Sequence, residues 1–175
     1  MEPKDRRIYL LRHAKSAWDD AAKDDHDRDL APRGRQAAER MAAYCRAEGI
    51  APALVLCSTA RRTRETLARL VPHLSGAARI EFEEGLYLAA AEELLRRLRR
   101  VEDSLRSVML IGHNPGMHEL VLQLVGGGDA AALQRLRGKF PTGALAEIAF
   151  AAERWRDIDT DRGRLLRFVV PRELS

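Results

Sequence analysis

Residues 8–13 read IYLLRH, a short apolar run that ends in an arginine and a histidine. Two later stretches follow the same pattern, LVLCS at residues 54–58 and VMLIGHN at residues 108–114. A continuous apolar run of this length, followed by an amphipathic segment, is typical of a strand that is buried on both faces of a sheet. The three stretches therefore predict parallel strands of an α/β fold, each ending in polar side chains.

The segments around these strands predict a helix after almost every strand. Residues 32–48 have apolar side chains at helical spacing, with Pro32 at the start and Gly49 after the end. The glycines at 126–128 follow a helical segment and are interpreted as a helix stop. The remaining pattern predicts helices at 59–74, 92–101, 116–125 and 130–136, and strands at 78–82, 144–151 and 165–170. We expect one α/β domain over residues 1–175, a three-layer sandwich with a central, mostly parallel sheet flanked by helices.

The composition is that of a folded protein without a membrane segment. Of the 175 residues, 46% are hydrophobic and 32% are charged, which excludes the low-hydrophobicity signature of disorder. Apolar runs fall far short of the ~20 residues that span a bilayer, and the charged amino terminus does not resemble a secretory signal. The two cysteines fit no metal spacing. We therefore expect a cytoplasmic protein with neither a membrane partner nor a bound metal.

The polar strand ends predict a phosphate site. Ligands of open α/β sheets bind beyond the carboxyl ends of the strands. If the three strands are parallel neighbours, Arg12, His13, His113 and the arginines of residues 61–64 meet at one edge of the sheet. Arginines hold phosphate oxygens, and a histidine can attack phosphorus to form a covalent intermediate. Such a cluster favours phosphoryl transfer without a metal ion.

These motifs resemble those of the histidine phosphatase superfamily, which includes the phosphoglycerate mutases. LRHAKS at 11–16 is similar to its Arg-His-Gly motif with alanine in place of glycine, and STARRTRET at 58–66 to its Ser-x-x-x-Arg-(Ala/Thr)-x-x-Thr signature. GHN at 112–114 is similar to its second histidine motif. RHAKSAWD, DRDL, HNPG and FPTGA, which begin at residues 12, 27, 113 and 140, resemble the SixA-type phosphohistidine phosphatase branch. The resemblance implies a phosphoglycerate mutase-like fold over most of the chain.

The resemblance also implies roles for four residues. His13 is expected to be the nucleophile that is transiently phosphorylated. Arg12 and Arg62 are expected to bind the phosphoryl oxygens, since the spacing of the signature selects Arg62 among its neighbours. His113 is expected to complete the pocket and to donate a hydrogen bond to the same group. No cofactor is implied.

The remaining site residues are candidates for binding substrate and for general acid catalysis. Ser16 and Asn114 are candidate substrate-binding residues. Glu84 is the candidate general acid, with Glu83 as its neighbour, and both could equally be solvated loop residues. An alkoxide leaving group needs a proton in the transition state, whereas imidazole, with a conjugate-acid pKa of about 6.5, leaves more easily. A site with a weak acid would therefore still cleave phosphohistidine.

The expected function is a metal-independent phosphatase that dephosphorylates phosphohistidine on a protein of the histidine-phosphotransfer type. One alternative is a broad-specificity phosphatase of small phosphorylated substrates. Another is a non-catalytic, arginine-rich module that docks a protein or nucleic acid. The set of Arg12, His13, Arg62 and His113 counts against this module, because a docking protein has no need of a nucleophile. Nucleic acid is not expected as a partner. The acidic residues between 24 and 29 are interpreted as a solvated loop near the pocket mouth.

Overall fold

Seven strands form one mixed sheet in the computed structural model, which describes residues 5–175. Their order across the sheet is β3-β2-β4-β1-β6-β7-β5. The strands are β1 (Asp5–Arg12), β2 (Leu54–Ser58), β3 (Arg79–Glu83), β4 (Ser107–Gly112), β5 (Val125–Gly128), β6 (Leu145–Ala151) and β7 (Gly163–Val169). The α-helices are α1 (Pro32–Ala47), α2 (Arg61–Leu70), α3 (Ala91–Arg99), α4 (Gly116–Leu124) and α5 (Ala130–Gly138).

The centre of the sheet brings three strand ends together. β4 lies between β2 and β1 and is parallel to both. Arg12 pairs with Gly112, and Cys57 pairs with Ile111, so the three strands end at nearly the same level. β6 runs antiparallel to both β1 and β7, whereas β3 and β5 pair in parallel with β2 and β7. The predicted three-layer sandwich, with a central and mostly parallel sheet between two layers of helices, is confirmed.

Side chains alternate between two apolar layers, as expected for strands covered on both faces. Ile8 and Leu10 belong to the cluster that packs against α3, α4 and α5. Tyr9 and Leu11 belong to the cluster that packs against α1 and α2. The three central strands are therefore held from both sides, which gives their carboxyl ends a rigid base.

The glycine run at 126–128 corrects the sequence interpretation. Helix α4 does end just before these residues, at Leu124, but the glycines themselves form most of β5, which pairs with β7 at one edge of the sheet. A Cβ on Gly126 would lie 2.0 Å from the carbonyl oxygen of Asp161, so the close approach of the two backbones requires glycine there. Glycine has low strand propensity, and an edge strand held by backbone hydrogen bonds gives no apolar signal.

The helices show no candidate for a membrane span: within residues 5–175, none is both long enough and apolar enough to cross a bilayer.

Candidate active site

Two histidines stand side by side where β1 and β4 end. His13 follows β1 and His113 follows β4, and their ring centroids are 5.3 Å apart. Both side chains are buried at the floor of a pocket: His13 is 7% exposed and His113 is 3% exposed. The Gly143 amide, from the turn before β6, donates to the carbonyl oxygens of Arg12 and His13 at 3.0 and 2.9 Å. That turn fixes the backbone from which the His13 side chain projects.

The hydrogen bond of His13 determines which ring nitrogen carries its proton. Nδ1 lies 2.6 Å from the carbonyl oxygen of Ala14, an atom that can only accept. Nδ1 is therefore the protonated nitrogen, and Nε2 keeps its lone pair. An imidazole held in this tautomer presents a nucleophilic nitrogen without first losing a proton.

Burial keeps both imidazoles uncharged. Desolvation, followed by the charges of Arg62 and Arg12, lowers the pKa of His13 to about 4, against the opposing effect of its bond to Ala14. Desolvation, followed by repulsion from His13 and Arg62, lowers the pKa of His113 to about 3. Neutral imidazoles among arginines make a pocket that carries positive charge yet offers a nucleophile at neutral pH.

Arg62 is the arginine of α2 that enters the pocket. It is 4% exposed, and its Nη2 lies 3.3 Å from Nδ1 of His113. Arg61 instead faces solvent and pairs with Glu65 at 2.8 Å, and the exposed Arg64 donates to the Thr59 carbonyl. Helical geometry explains the selection, because residues one and two positions away point to other faces of the helix.

His113 is oriented by two partners. A guanidinium can only donate, so Nδ1 of His113 is an acceptor towards Arg62. Its Nε2–H then donates to the Oγ of Ser58, at 2.8 Å. Ser58 is fully buried at the end of β2 and also accepts from the Ala60 amide at 3.3 Å. Ser58, at the end of β2, therefore orients His113, which follows β4.

Arg12 and Asn114 converge on the segment that precedes β6. Nη1 of Arg12 and Nδ2 of Asn114 donate to the Phe140 carbonyl oxygen at 3.1 and 3.0 Å. Burial and the nearby charge of Arg62 lower the pKa of Arg12. Two guanidiniums that repel each other in one pocket favour the binding of an anion between them.

Asp25 is a pocket residue that the sequence interpretation missed. It belongs to a 3₁₀ turn between β1 and α1, and it was expected in a solvated loop. Arg62 donates from Nη2 to its carboxylate at 2.9 Å and from Nη1 to its carbonyl oxygen at 2.7 Å. The Tyr87 hydroxyl donates to the same carboxylate oxygen. Burial opposes ionisation of Asp25, but these hydrogen bonds outweigh it and lower its pKa.

The local sequence gives only weak signals for these partners. Asp25 is one of several aspartates in a polar loop, and Tyr87 lies beyond β3 without a recognisable motif. Tyr87 packs edge-on against His113, with ring centroids 5.3 Å apart. Only the folding of both loops over the strand ends brings these residues to Arg62.

The pocket over these side chains has a volume of about 410 Å³. Its lining includes six of the seven predicted site residues, and both candidate substrate-binding residues are among them. Glu84 is not brought to the pocket: within residues 5–175 it is exposed and lies in a 3₁₀ turn after β3. Glu83 is held by Arg97, whose Nε lies 2.9 Å from each carboxylate oxygen. The lining consists of Arg12, His13, Lys15, Ser16, Trp18, Asp25, Arg62, Leu88, His113, Asn114, Lys139, Pro141 and Thr142.

Comparison with known proteins agrees with this geometry. The model of the histidine phosphatase superfamily (branch 1) matches residues 8–87. The uncharacterised protein Rv1276c of Mycobacterium tuberculosis is 40% identical over 164 residues, which cover 93% of this chain and 100% of that protein.

Two solved structures named for the phosphohistidine phosphatase SixA are similar over almost the whole chain. The one from Agrobacterium tumefaciens is 32% identical, with a TM-score of 0.81 and coverage of 95% of this chain and 98% of that one. The one from Nakamurella multipartitia is 28% identical, with a TM-score of 0.82 and coverage of 95% and 96%. The chain belongs to the histidine phosphatase superfamily, within its SixA-type branch.

Proposed function

We propose that this phosphatase hydrolyses phosphohistidine carried on a protein, without a metal ion, through a covalent intermediate on His13. Arg12 and Arg62 bind the phosphoryl oxygens and offset the charge that a metal ion would otherwise neutralise. His113, held by Ser58, contributes a further hydrogen bond once a bound dianion raises its pKa and its Nδ1 gains a proton. Ser16 and Asn114 contact the substrate from the wall of the pocket.

The first step transfers the phosphoryl group between two imidazoles. Nε2 of His13 attacks phosphorus, and the P–N bond to the substrate histidine breaks. The substrate ring leaves as neutral imidazole when its other nitrogen carries a proton. His13 keeps its own proton on Nδ1, bonded to the Ala14 carbonyl. Donor and acceptor rings are chemically alike, so the step is close to thermoneutral.

The second step returns the enzyme to its starting state. Water attacks phosphorus on phospho-His13, and the P–N bond to Nε2 breaks. Both protons of the water leave with the phosphate or pass to solvent. His13 is again neutral, with its proton on Nδ1.

The proposal rests on the ionisation and hydrogen bonding of the carboxylate in the pocket. Within residues 5–175, the one carboxylate on the pocket wall is Asp25, which is bound by Arg62 and Tyr87 and has a lowered pKa. A carboxylate in that state is a poor proton donor for an alkoxide. Imidazole with a proton on its far nitrogen needs no such donor. This arrangement therefore favours phosphohistidine over alkyl phosphates.

The experiment compares leaving groups at one nucleophile. Purified protein is assayed with EDTA present, on a small protein phosphorylated at histidine by phosphoramidate and on glycerol phosphate. We expect loss of phosphohistidine that His13→Ala abolishes, with much slower release from glycerol phosphate. Asp25→Asn is the matched control, and it should retain phosphohistidine turnover because no acid is required.

The opposite result supports the alternative of a phosphatase for small phosphoesters. In that case glycerol phosphate is the faster substrate, and Asp25→Asn reduces its turnover strongly, because Asp25 then leaves Arg62 and donates the proton. Loss of activity in EDTA that added metal restores would refute metal independence. The cytoplasmic location and the single domain over residues 1–175 stay predictions.

A further inference from the structure

Two large apolar side chains are exposed on the wall of the active-site pocket. Trp18 is 69% exposed and Leu88 is 53% exposed, and both line the cavity above His13. They are the two most exposed of the large hydrophobic residues within the described chain. Exposed apolar groups that gather at a functional pocket indicate a contact surface more strongly than scattered ones do.

Leu88 is unfavourable in its backbone as well as in its exposure. Its φ angle is +51°, in the left-handed region that favours glycine. A leucine here strains the backbone and also leaves its side chain in water. Neither feature helps the isolated fold, which suggests that the side chain makes its contact with another molecule.

Trp18 is held in place although it is exposed. The guanidinium carbon of Arg28 lies 3.7 Å from the centroid of a Trp18 ring, in a cation–π contact. Nε of Arg28 is also 3.6 Å from the carboxylate of Asp25, which binds Arg62. A positioned indole loses little conformational freedom when it is bound, and tryptophan is a frequent anchor of protein interfaces.

Two lysines add positive charge to the same wall. Lys15 and Lys139 are exposed and line the pocket. Within residues 5–175, neither ammonium group forms an ion pair with a carboxylate. They are therefore free to contact acidic groups of a partner.

We propose that Trp18, Leu88, Lys15 and Lys139 form a docking rim for the phosphoprotein substrate, and this inference rests on the proposed function. His13 lies at the buried floor, and a histidine side chain is short, so the carrier protein must bring its surface onto the rim for phosphorus to reach Nε2. The rim fits a protein with apolar and acidic side chains around its phosphohistidine. Docking raises the effective concentration of the phosphorylated ring.

The test compares a large substrate with a small one. Leu88→Gly and Trp18→Ala are assayed on the phosphoramidate-phosphorylated protein and on free phosphohistidine. We expect kcat/KM for the protein to fall about tenfold, mainly through KM, with less than twofold change for the free amino acid. Leu88→Gly removes the strain with the side chain, so its melting temperature should equal or exceed that of the wild type.

Control variants and the wild type separate the outcomes. Leu122→Ala and Phe82→Ala remove exposed apolar side chains that lie outside the pocket lining, and they should leave both substrates unaffected. Equal losses on both substrates, or no loss on either, would overturn the docking rim. A wild-type enzyme that cleaves neither form of phosphohistidine would refute the proposed function itself. Lys15→Glu with Lys139→Glu should raise KM more for the protein than for free phosphohistidine, because acidic groups of the protein would also be repelled.

Discussion

The protonation of His13 and His113 makes the stability of the fold depend on pH. The pKa of His13 is about 4 in the folded protein, below the ordinary value of about 6.5 that the unfolded chain regains. The unfolded chain therefore binds more protons at acidic pH, and the free energy of unfolding falls as pH drops from about 6.5 to about 4. His13 alone contributes a loss of about 3 kcal/mol. Urea denaturation at about pH 7 and about pH 4.5 should show most of this loss, about 2.4 kcal/mol.

The variant His13→Gln is the comparison, since glutamine does not titrate. Its unfolding free energy should fall less between the two pH values than that of the wild type. Equal falls would contradict a lowered pKa for His13. His113, with a pKa of about 3, should give a separate loss in the same direction.

Two neighbouring arginines on α2, one buried and one exposed, should differ strongly in their effect on kcat/KM. Arg62→Ala should lower kcat/KM at least about 100-fold, because it removes the buried donor that we propose binds the transferring phosphoryl group. Arg61→Ala should change it less than about twofold, since an exposed ion pair to Glu65 contributes little. Steady-state kinetics of both variants on one substrate measure the two changes in kcat/KM. Similar losses in both variants would mean that general positive charge, rather than Arg62, binds the phosphoryl group.

The first turn of helix α1 packs closely against the loop that follows His13. A Cβ on Gly34 would lie 2.0 Å from the carbonyl oxygen of Lys15, two residues after His13. Gly34→Ala must therefore push the loop aside, and we expect about 2 kcal/mol of destabilisation with a lower kcat. Gly138→Ala, at the end of α5, meets nothing within 4 Å and should be neutral or stabilising. Thermal unfolding and kinetics of the two variants test this, and a fully active Gly34→Ala enzyme would contradict it.

An anion that binds residues from several strands and helices at once should raise the thermal stability of the whole fold. A phosphate analogue bound in the pocket should contact residues that come from β1, α2 and the segment after β4, so it should bind the folded chain and not the unfolded one. At 100 times its dissociation constant, orthovanadate should stabilise the fold by about 2.7 kcal/mol, which is a rise in melting temperature of about 5–10 °C. Thermal scans of the wild type and Arg62→Ala measure it. A similar rise in both proteins would locate the vanadate elsewhere.

The sequence predicts this architecture well where signals are local. The runs at 8–11, 54–57 and 108–111 predict the buried strands, because apolar runs between helices are specific to a covered sheet. β5 is not predicted, since its glycines act through backbone contact alone. The same distinction between local sequence signals and long-range contacts applies to the residues of the candidate active site. Motifs identify His13 and Arg62, but the placement of Asp25 depends on how a polar loop folds over distant strand ends. Glu84 illustrates the converse, because proximity to a strand end does not bring a side chain into the pocket.

The ion pair between Asp25 and Arg62 has a consequence for turnover under accumulating phosphate. By the proposed mechanism, inorganic phosphate would be released beside Arg62, whose guanidinium already binds the Asp25 carboxylate. We therefore expect the carboxylate to compete with phosphate for Arg62 and so to limit product inhibition. Asp25→Asn should bind phosphate about tenfold more tightly, a change of about 1.4 kcal/mol, and its progress curves should flatten earlier. Matching inhibition constants in the two enzymes would show that Asp25 does not compete. By pairing with Arg62, Asp25 would keep the pocket available to substrate while free phosphate accumulates.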